Sequence, residues 1–398
     1  MTLPLEGITV LELTRVAPGA LATMMLGDMG AEVVKVEQPV QPDTPRFGGG
    51  WCPVGEEGRR EAAYSAVNRN KKSVAINLRS AEGRAIFHKL AVKADVILEG
   101  FRPGVVKRLG IDFDTISKIN PRAIYCSLSG YGQDGPYQDM PGHDVNYISI
   151  GGALGLIGEE GGKPVIPLNL VADYAGASLH AVIGILLALM ARERTGKGQV
   201  VDISYTDGVI SLMTRLASDY FMSGEVPKRG QSFLSGAYPC YGVYETKDGR
   251  YISIGCLEQW LWENLCRALD REDLIVQGMA QGEKREEVFG ELRGIFRTRT
   301  RDEWFEELRD KDVCVGKVYE LDEVFEDPQV VHRQMVVELD HPIFGKVKQP
   351  GIGVKLSDTP GSIRSFCPLL GEHTEAVLGS LGYSSEEVEE LKRRGVVM

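Results

Sequence analysis

The 398-residue chain is 43% hydrophobic and 25% charged. These values exclude a disordered, collagenous or low-complexity protein and, at about 100–200 residues per domain, predict two or three domains. Its 45 basic and 56 acidic residues give a net charge of −11, which argues against a nucleic-acid partner, and its longest apolar run, residues 181–191, is far short of the about 20 that span a membrane and reads as a buried helix.

Residues 8–13 read as a short apolar strand. A helix follows from Pro18, with Pro in its first turn and Gly30 just past its end. Residues 32–37 (EVVKVE), 73–78, 95–99 and 123–128 are further strand-like runs, and 81–93 is helical. Strands alternating with helices predict an α/β fold with a mostly parallel, doubly wound sheet. A long apolar helix is expected from Asp173 to about Arg194, with Asp173 as its N-cap. It ends at Gly196–Gly198, before a strand at 200–205 and a helix to about Met222.

Residues 223–240 are rich in Gly, Ser and Pro and read as a linker. Beyond them, 241–246 and 250–255 flank KDG, a hairpin signal. Helices are expected at about 258–269, 285–298 and 301–310, the last with a Thr300–Glu303 capping box. The predicted organisation is a large α/β domain over 1–222, a linker over 223–240 and a small α+β domain over 241–326. Residues 327–398 form a return linker and a C-terminal segment completing the large domain, with short helices after Gly371 and Ser384.

Four features bear on chemistry. Residues 59–108 hold 12 basic residues against 4 acidic ones, a reversal of the overall charge. Arg69, Lys71 and Lys72 in NRNKKS, and Arg102 in GFRPG, suit a phosphorylated ligand; the alternative is a solvated basic face. His143, in GHDVNY, is either a proton-transfer group or a structural histidine. Asp173 is either an N-cap or a catalytic carboxylate beside helix N–H groups that could stabilise an oxyanion. Glu258, in GCLEQWLW, is either a first-turn helix acid or the orienting partner of a catalytic histidine. The seven scattered cysteines form no CxxC pair and no zinc spacing, and the N-terminus has no signal-peptide pattern. A reduced cytoplasmic protein without a metal is therefore expected.

Nine segments in this order carry a resemblance: LPLEGITVLELTRVAPG, LGDMGAEVVKVE, NRNKKSVAINL, ADVILEGFRPGV, LSGYGQDGP, GHDVNY, PLNLVADYAG, TGKGQVVDIS and GEHTEAVL. The chain resembles the family III CoA-transferase and α-methylacyl-CoA racemase superfamily from residue 3 nearly to its end. The resemblance implies an acyl-CoA substrate, a Rossmann-like large domain, a small domain, and an interlocked homodimer whose site lies between the large domain of one chain and the small domain of its partner. It implies catalytic roles for His143, Asp173 and Glu258, and CoA or substrate contacts from Arg69, Asn70, Lys71, Lys72, Arg102, Gly142, Asp144, Asn146 and Tyr147. The retained histidine and the absence of a glycine-rich loop near Glu258 favour the racemase branch. There, His143 and Asp173 exchange the α-proton through an enolate, and no cofactor is needed beyond the CoA of the substrate. The alternatives are a CoA-transferase with Asp173 as nucleophile and a non-catalytic acyl-CoA binder. Three positions depart from the racemase pattern: Gln259 replaces a proline, Ala175-Gly176 replaces a glycine pair, and Gln38 replaces a CoA-binding arginine for which Arg46 is the candidate substitute. Tyr238, Tyr241 and Trp260 lie near the small-domain elements expected to face the partner's site; the alternative is that they are core aromatics, the reading favoured for Trp260.

Overall fold

The computed structural model describes residues 2–39, 50 and 52–398; Arg46 lies outside them. The chain divides into two compact units. The first comprises residues 1–151, 168–212 and 328–398, and the second 152–167 and 213–327. Segments 152–167 and 213–222, read as part of the large domain, therefore group with the second unit. Arg229 donates to the carbonyls of Gly155 and Gly162, and Glu160 accepts from Gln231 (2.6 Å) and Arg285 (2.8 Å). These bonds tie the earlier segment to residues more than sixty positions later.

In the first unit, β1 (Thr9–Leu13), β2 (Glu32–Glu37), β3 (Lys71–Ala75), β4 (Val96–Glu99), β5 (Ile124–Ser129) and β6 (Val200–Ser204) form one parallel sheet in the order β3-β2-β1-β4-β5-β6. Most of these strands are buried on both faces, which is why they read as continuous Val/Ile/Leu runs rather than alternating ones. The helix Ala17–Asp28 connects β1 to β2. The helix Ala81–Lys93 starts where Ser80 Oγ accepts the Gly83 N–H (2.9 Å). Strand order reverses between β1 and β4, so the loops leaving their C-terminal ends diverge and open a crevice there.

β3 begins two residues before the expected 73, because Lys71 and Lys72 pair in register with Val33 and Val34 of β2. It is an edge strand, and the C-terminal segment covers it. The His373 N–H donates to Ser73 O (2.9 Å), the Ala75 N–H donates to Thr374 Oγ1 (3.1 Å), and Ile76 bridges Val397. Within 327–398 the chain forms an unexpected antiparallel hairpin, β10 (Val336–His341) with β11 (Gly345–Pro350), before the helices Thr374–Ser380 and Ser385–Arg393.

The apolar helix departs from expectation in two ways. It begins at Leu170 as a π-helical stretch to Leu179, then continues as α-helix over His180–Thr195, so Asp173 sits in the first turn and is not the cap. Only one face is buried, by Ala181, Ile185, Ala188 and Leu189; Ile183, Leu187 and Met190 are 54%, 59% and 64% exposed.

In the second unit, β7 (Tyr241–Glu245), β8 (Tyr251–Gly255) and β9 (Val315–Val318) make an antiparallel sheet. Its core gathers Tyr244, Trp262, Phe296 and Trp304. The capping box forms: the Thr300 N–H donates to Glu303 Oε2 (2.8 Å) and the Glu303 N–H to Thr300 Oγ1 (3.3 Å).

Candidate active site

The GHDVNY segment is fixed by a tyrosine. The ring of Tyr147 occupies the space that a Cβ at Gly130 or Gly142 would enter, 2.3 and 2.6 Å from its nearest ring carbon, and its hydroxyl donates to Gly142 O (2.5 Å). Tyr131 and Tyr205 pack edge-on against it, centroids 5.3 and 5.1 Å away. The glycine at 142 is therefore a packing requirement. His143 follows in extended backbone as the N-cap of the helix Asp144–Ile150, with its N–H donating to Asn146 Oδ1 (3.1 Å) and its side chain exposed.

Asp144 joins this turn to Asp173. Its buried Oδ2 accepts the N–H groups of both Ala172 (2.8 Å) and Asp173 (2.9 Å), so it caps the helix that Asp173 was expected to cap. Those two donors are consequently not available to an oxyanion. Asn169 Nδ2 donates to Asp173 Oδ2 (3.2 Å). Ser178 Oγ donates to Pro18 O (2.8 Å), holding the π-helical stretch to the first helix. A Cβ at Gly208 would lie 2.1 Å from Gly176 O, so glycine lets the helix Tyr205–Leu212 touch the backbone beneath Asp173.

Burial raises the Asp173 pKa above the ordinary carboxylate value. The Asn169 hydrogen bond and the nearby His143 work against that rise, and the Asp144 charge adds to it. Burial first, then Tyr131 and Asp173, push the Tyr147 phenol up to about 12, while Arg102 pulls it down. Tyr147 thus feels both the Asp173 carboxylate and an arginine of the neighbouring cavity.

That cavity, about 590 Å³, lies at the C-terminal ends of β1, β2, β3 and β4, where open α/β sheets bind ligands. Arg15, Arg79, Arg102 and Arg108 line it. Glu37 is its one carboxylate among the described residues, engaged by Ser73 Oγ (2.8 Å) and the Cys52 N–H (3.0 Å). Burial and then the like charge of Arg79 lower the Arg15 pKa; an anion between them would relieve that repulsion. Gln38, at the position of the expected arginine, also lines the cavity.

Of the basic residues singled out in sequence, only Arg102 reaches this cavity. Arg69 is buried against Asp28 (3.0 and 2.7 Å) and donates to Pro350 O (2.6 Å); Asn70 donates to Asp28 Oδ1 (2.7 Å). Lys71 is buried with Lys35 around Glu12 (2.9 and 2.5 Å). Burial would raise the Glu12 pKa, but the two ammonium groups outweigh it and hold the carboxyl at about 2. Lys72 is exposed and pairs with Glu32 (2.5 Å). Arg79 and Arg108 stood in the basic count without distinction, and Arg15 lay outside it. Arg15 follows the end of β1 by two residues and Arg79 the end of β3 by four, while Arg108 lies in the helix Val105–Leu109 after β4.

Glu258 is in the second unit, as N-cap of the helix Gln259–Ala268; its side chain makes no capping bond and is exposed. It is therefore not the first-turn acid. Trp260 is 58% exposed, and the core residue is Trp262. Tyr241 lines a separate cavity of about 1260 Å³ that contains neither His143 nor Asp173.

The family model described as CoA-transferase family III matches residues 5–374. The chain is 35% identical over 402 residues to Homo sapiens succinyl-CoA:glutarate CoA-transferase, covering 99% of this chain and 90% of that protein. It is 33% identical over 395 residues to Homo sapiens alpha-methylacyl-CoA racemase, covering 99% and 97%. Its fold is similar to a crystal structure of a CAIB/BAIF family protein from Brucella suis, with a TM-score of 0.80 and 31% identity over 96% of this chain and all of that one.

Proposed function

The chain belongs to CoA-transferase family III, and from that premise we propose that it racemises 2-methylacyl-CoA thioesters at the α-carbon. The observation that carries this reading is an Asp173 whose acid form is favoured by burial, near enough to His143 to feel its charge. Neutral His143 takes the α-proton, the electron pair passes to the thioester oxygen as an enolate, and protonated Asp173 returns a proton to the opposite face. The reverse direction exchanges the two roles. With the N–H groups of Ala172 and Asp173 engaged by Asp144, the enolate oxygen takes its donors elsewhere. Glu258, unengaged as a cap, is the candidate to orient the imidazole, from the partner subunit of a homodimer. The arginine-lined cavity supports binding of the CoA phosphates, and CoA enters as part of the substrate.

The CoA-transferase reading is favoured by the 35% identity to a named transferase. There the Asp173 carboxylate attacks the thioester carbonyl, CoA leaves, and an acceptor acid takes its place. Incubation with a 2-methylacyl-CoA in deuterium oxide separates the two. A racemase exchanges its α-hydrogen, and His143→Ala lowers that exchange by about 10²–10⁴-fold. No exchange in wild type, together with a hydroxylamine- or borohydride-trapped Asp173 adduct and CoA movement between acids, would establish the transferase.

A further inference from the structure

Glu99 closes β4 at the reversal of strand order, paired in register with Leu13 of β1 and Ser127 of β5, and is 1% exposed. It makes no salt bridge among the described residues. Its Oε2 accepts the Phe101 N–H (2.8 Å), and its carboxyl is hydrogen-bonded to Ser127. The loop it thereby holds, Gly100–Arg102, is one wall of the arginine-lined cavity. A Cβ at Gly100 would lie 3.6 Å from the Thr14 side chain, the Arg15 guanidinium lies over Phe101 (5.2 Å to the ring centroid), and Arg102 lines the cavity.

We propose that Glu99 is a proton-sensing positioning residue of this cavity: it shapes the Gly100–Arg102 loop, and the loop binds an anionic ligand better when the Glu99 carboxyl is neutral. The inference rests on reading the cavity as the CoA site. Burial pushes the Glu99 carboxyl up to about 7, against the hydrogen bonds from Ser127 and Phe101 and helped by the negative charge of Asp202 in β6. The other ionisable groups that sense it, Tyr125 and Cys126 of β5 and Tyr205, are held by burial well above their ordinary values and stay neutral. Glu99 is therefore the group of this cluster that changes charge near neutrality. Either form can accept the Phe101 N–H, so the loop keeps its shape. The ionised form, however, sets a negative charge behind an anion-binding wall. By linkage, the anion and the Glu99 proton bind together.

The test is calorimetric titration of the full chain with dephospho-CoA between pH 6 and pH 8. This probe lacks the phosphate monoester, whose own second pKa is about 6. The expected result in wild type is affinity weakening by about 3- to 10-fold as pH rises, the scale of one charge repulsion near a surface. Glu99→Gln should bind at the low-pH affinity throughout. Asp202→Asn, which removes the minor charge contribution that adds to burial in raising Glu99, should move the midpoint modestly to lower pH, and the wild-type profile keeps the test decisive if Glu99→Gln does not fold. An affinity in wild type that does not weaken between pH 6 and pH 8, the same pH profile in wild type and Glu99→Gln, or a midpoint that rises in Asp202→Asn overturns the inference. Absence of dephospho-CoA and CoA binding at every pH would instead remove the reading of the cavity itself.

Discussion

Several neighbouring groups set the charge state of Asp173. Its acid form is favoured by burial, and its ionised form is helped by the hydrogen bond from Asn169. Removing that donor destabilises the carboxylate, so Asn169→Ala should raise the Asp173 pKa further. In the pH profile of α-hydrogen exchange, the limb belonging to Asp173 should move to higher pH. A limb that stays in place or moves down would show that Asn169 does not act on the ionised form. On the racemase reading, His143→Ala removes a proton-transfer group outright, whereas Asn169→Ala leaves both groups and moves only the pH at which Asp173 ionises.

At the scale of elements, Arg69 and Lys71 of NRNKKS act in packing, through buried ion pairs. Arg69 brings Asp28, at the end of the first helix, together with Pro350 of β11. Lys71 and Lys35 share Glu12 inside the sheet. Breaking one partner of a buried pair strands the other charge and costs about 3–5 kcal/mol. Arg69→Ala should therefore lower the thermal and denaturant midpoints strongly, while the protein that remains folded binds CoA with an unchanged dissociation constant. A large rise in that constant without loss of stability would return Arg69 to the ligand site. Lys72, in an exposed pair, should matter little to either measurement, within about 1 kcal/mol.

Two expectations belong to the whole molecule. The cavity draws its arginines from the ends of β1, β3 and β4, so Arg79→Ala with Arg108→Ala should weaken CoA binding and flatten its dependence on ionic strength. Equal affinity at low salt would exclude these side chains from phosphate contact. The second expectation is assembly. Leu179, Ile183, Leu187 and Met190 fall on one exposed stripe of the helix in a single protomer, which suits burial against a second copy. Light scattering should report a dimer that does not dissociate into folded monomers on dilution. Leu187→Asp should disrupt it, and a native wild-type monomer at working concentration would count against it.

The sequence by itself determined what depends on neighbours along the chain. β2, the helix Ala81–Lys93, the hairpin around KDG and the capping box at Thr300 could be read because periodicity, turn chemistry and capping are local. The nine segments carrying the family resemblance were also readable, and they singled out His143 and Asp173 as candidates. What the tertiary structure decided depends on partners far away in sequence. A basic residue next to a strand looks the same whether it faces solvent, a ligand or a buried carboxylate. Only the fold sends Lys71 to Glu12 and Arg69 to Asp28 and Pro350, and only the fold brings Arg15 beside Arg79. Asp173 looked like a cap because helix starts favour aspartate, but Asp144, 29 residues earlier, takes that role. Position along the chain decides which backbone an element adopts. Burial and strand order decide which charges are engaged by a buried carboxylate and which line a cavity.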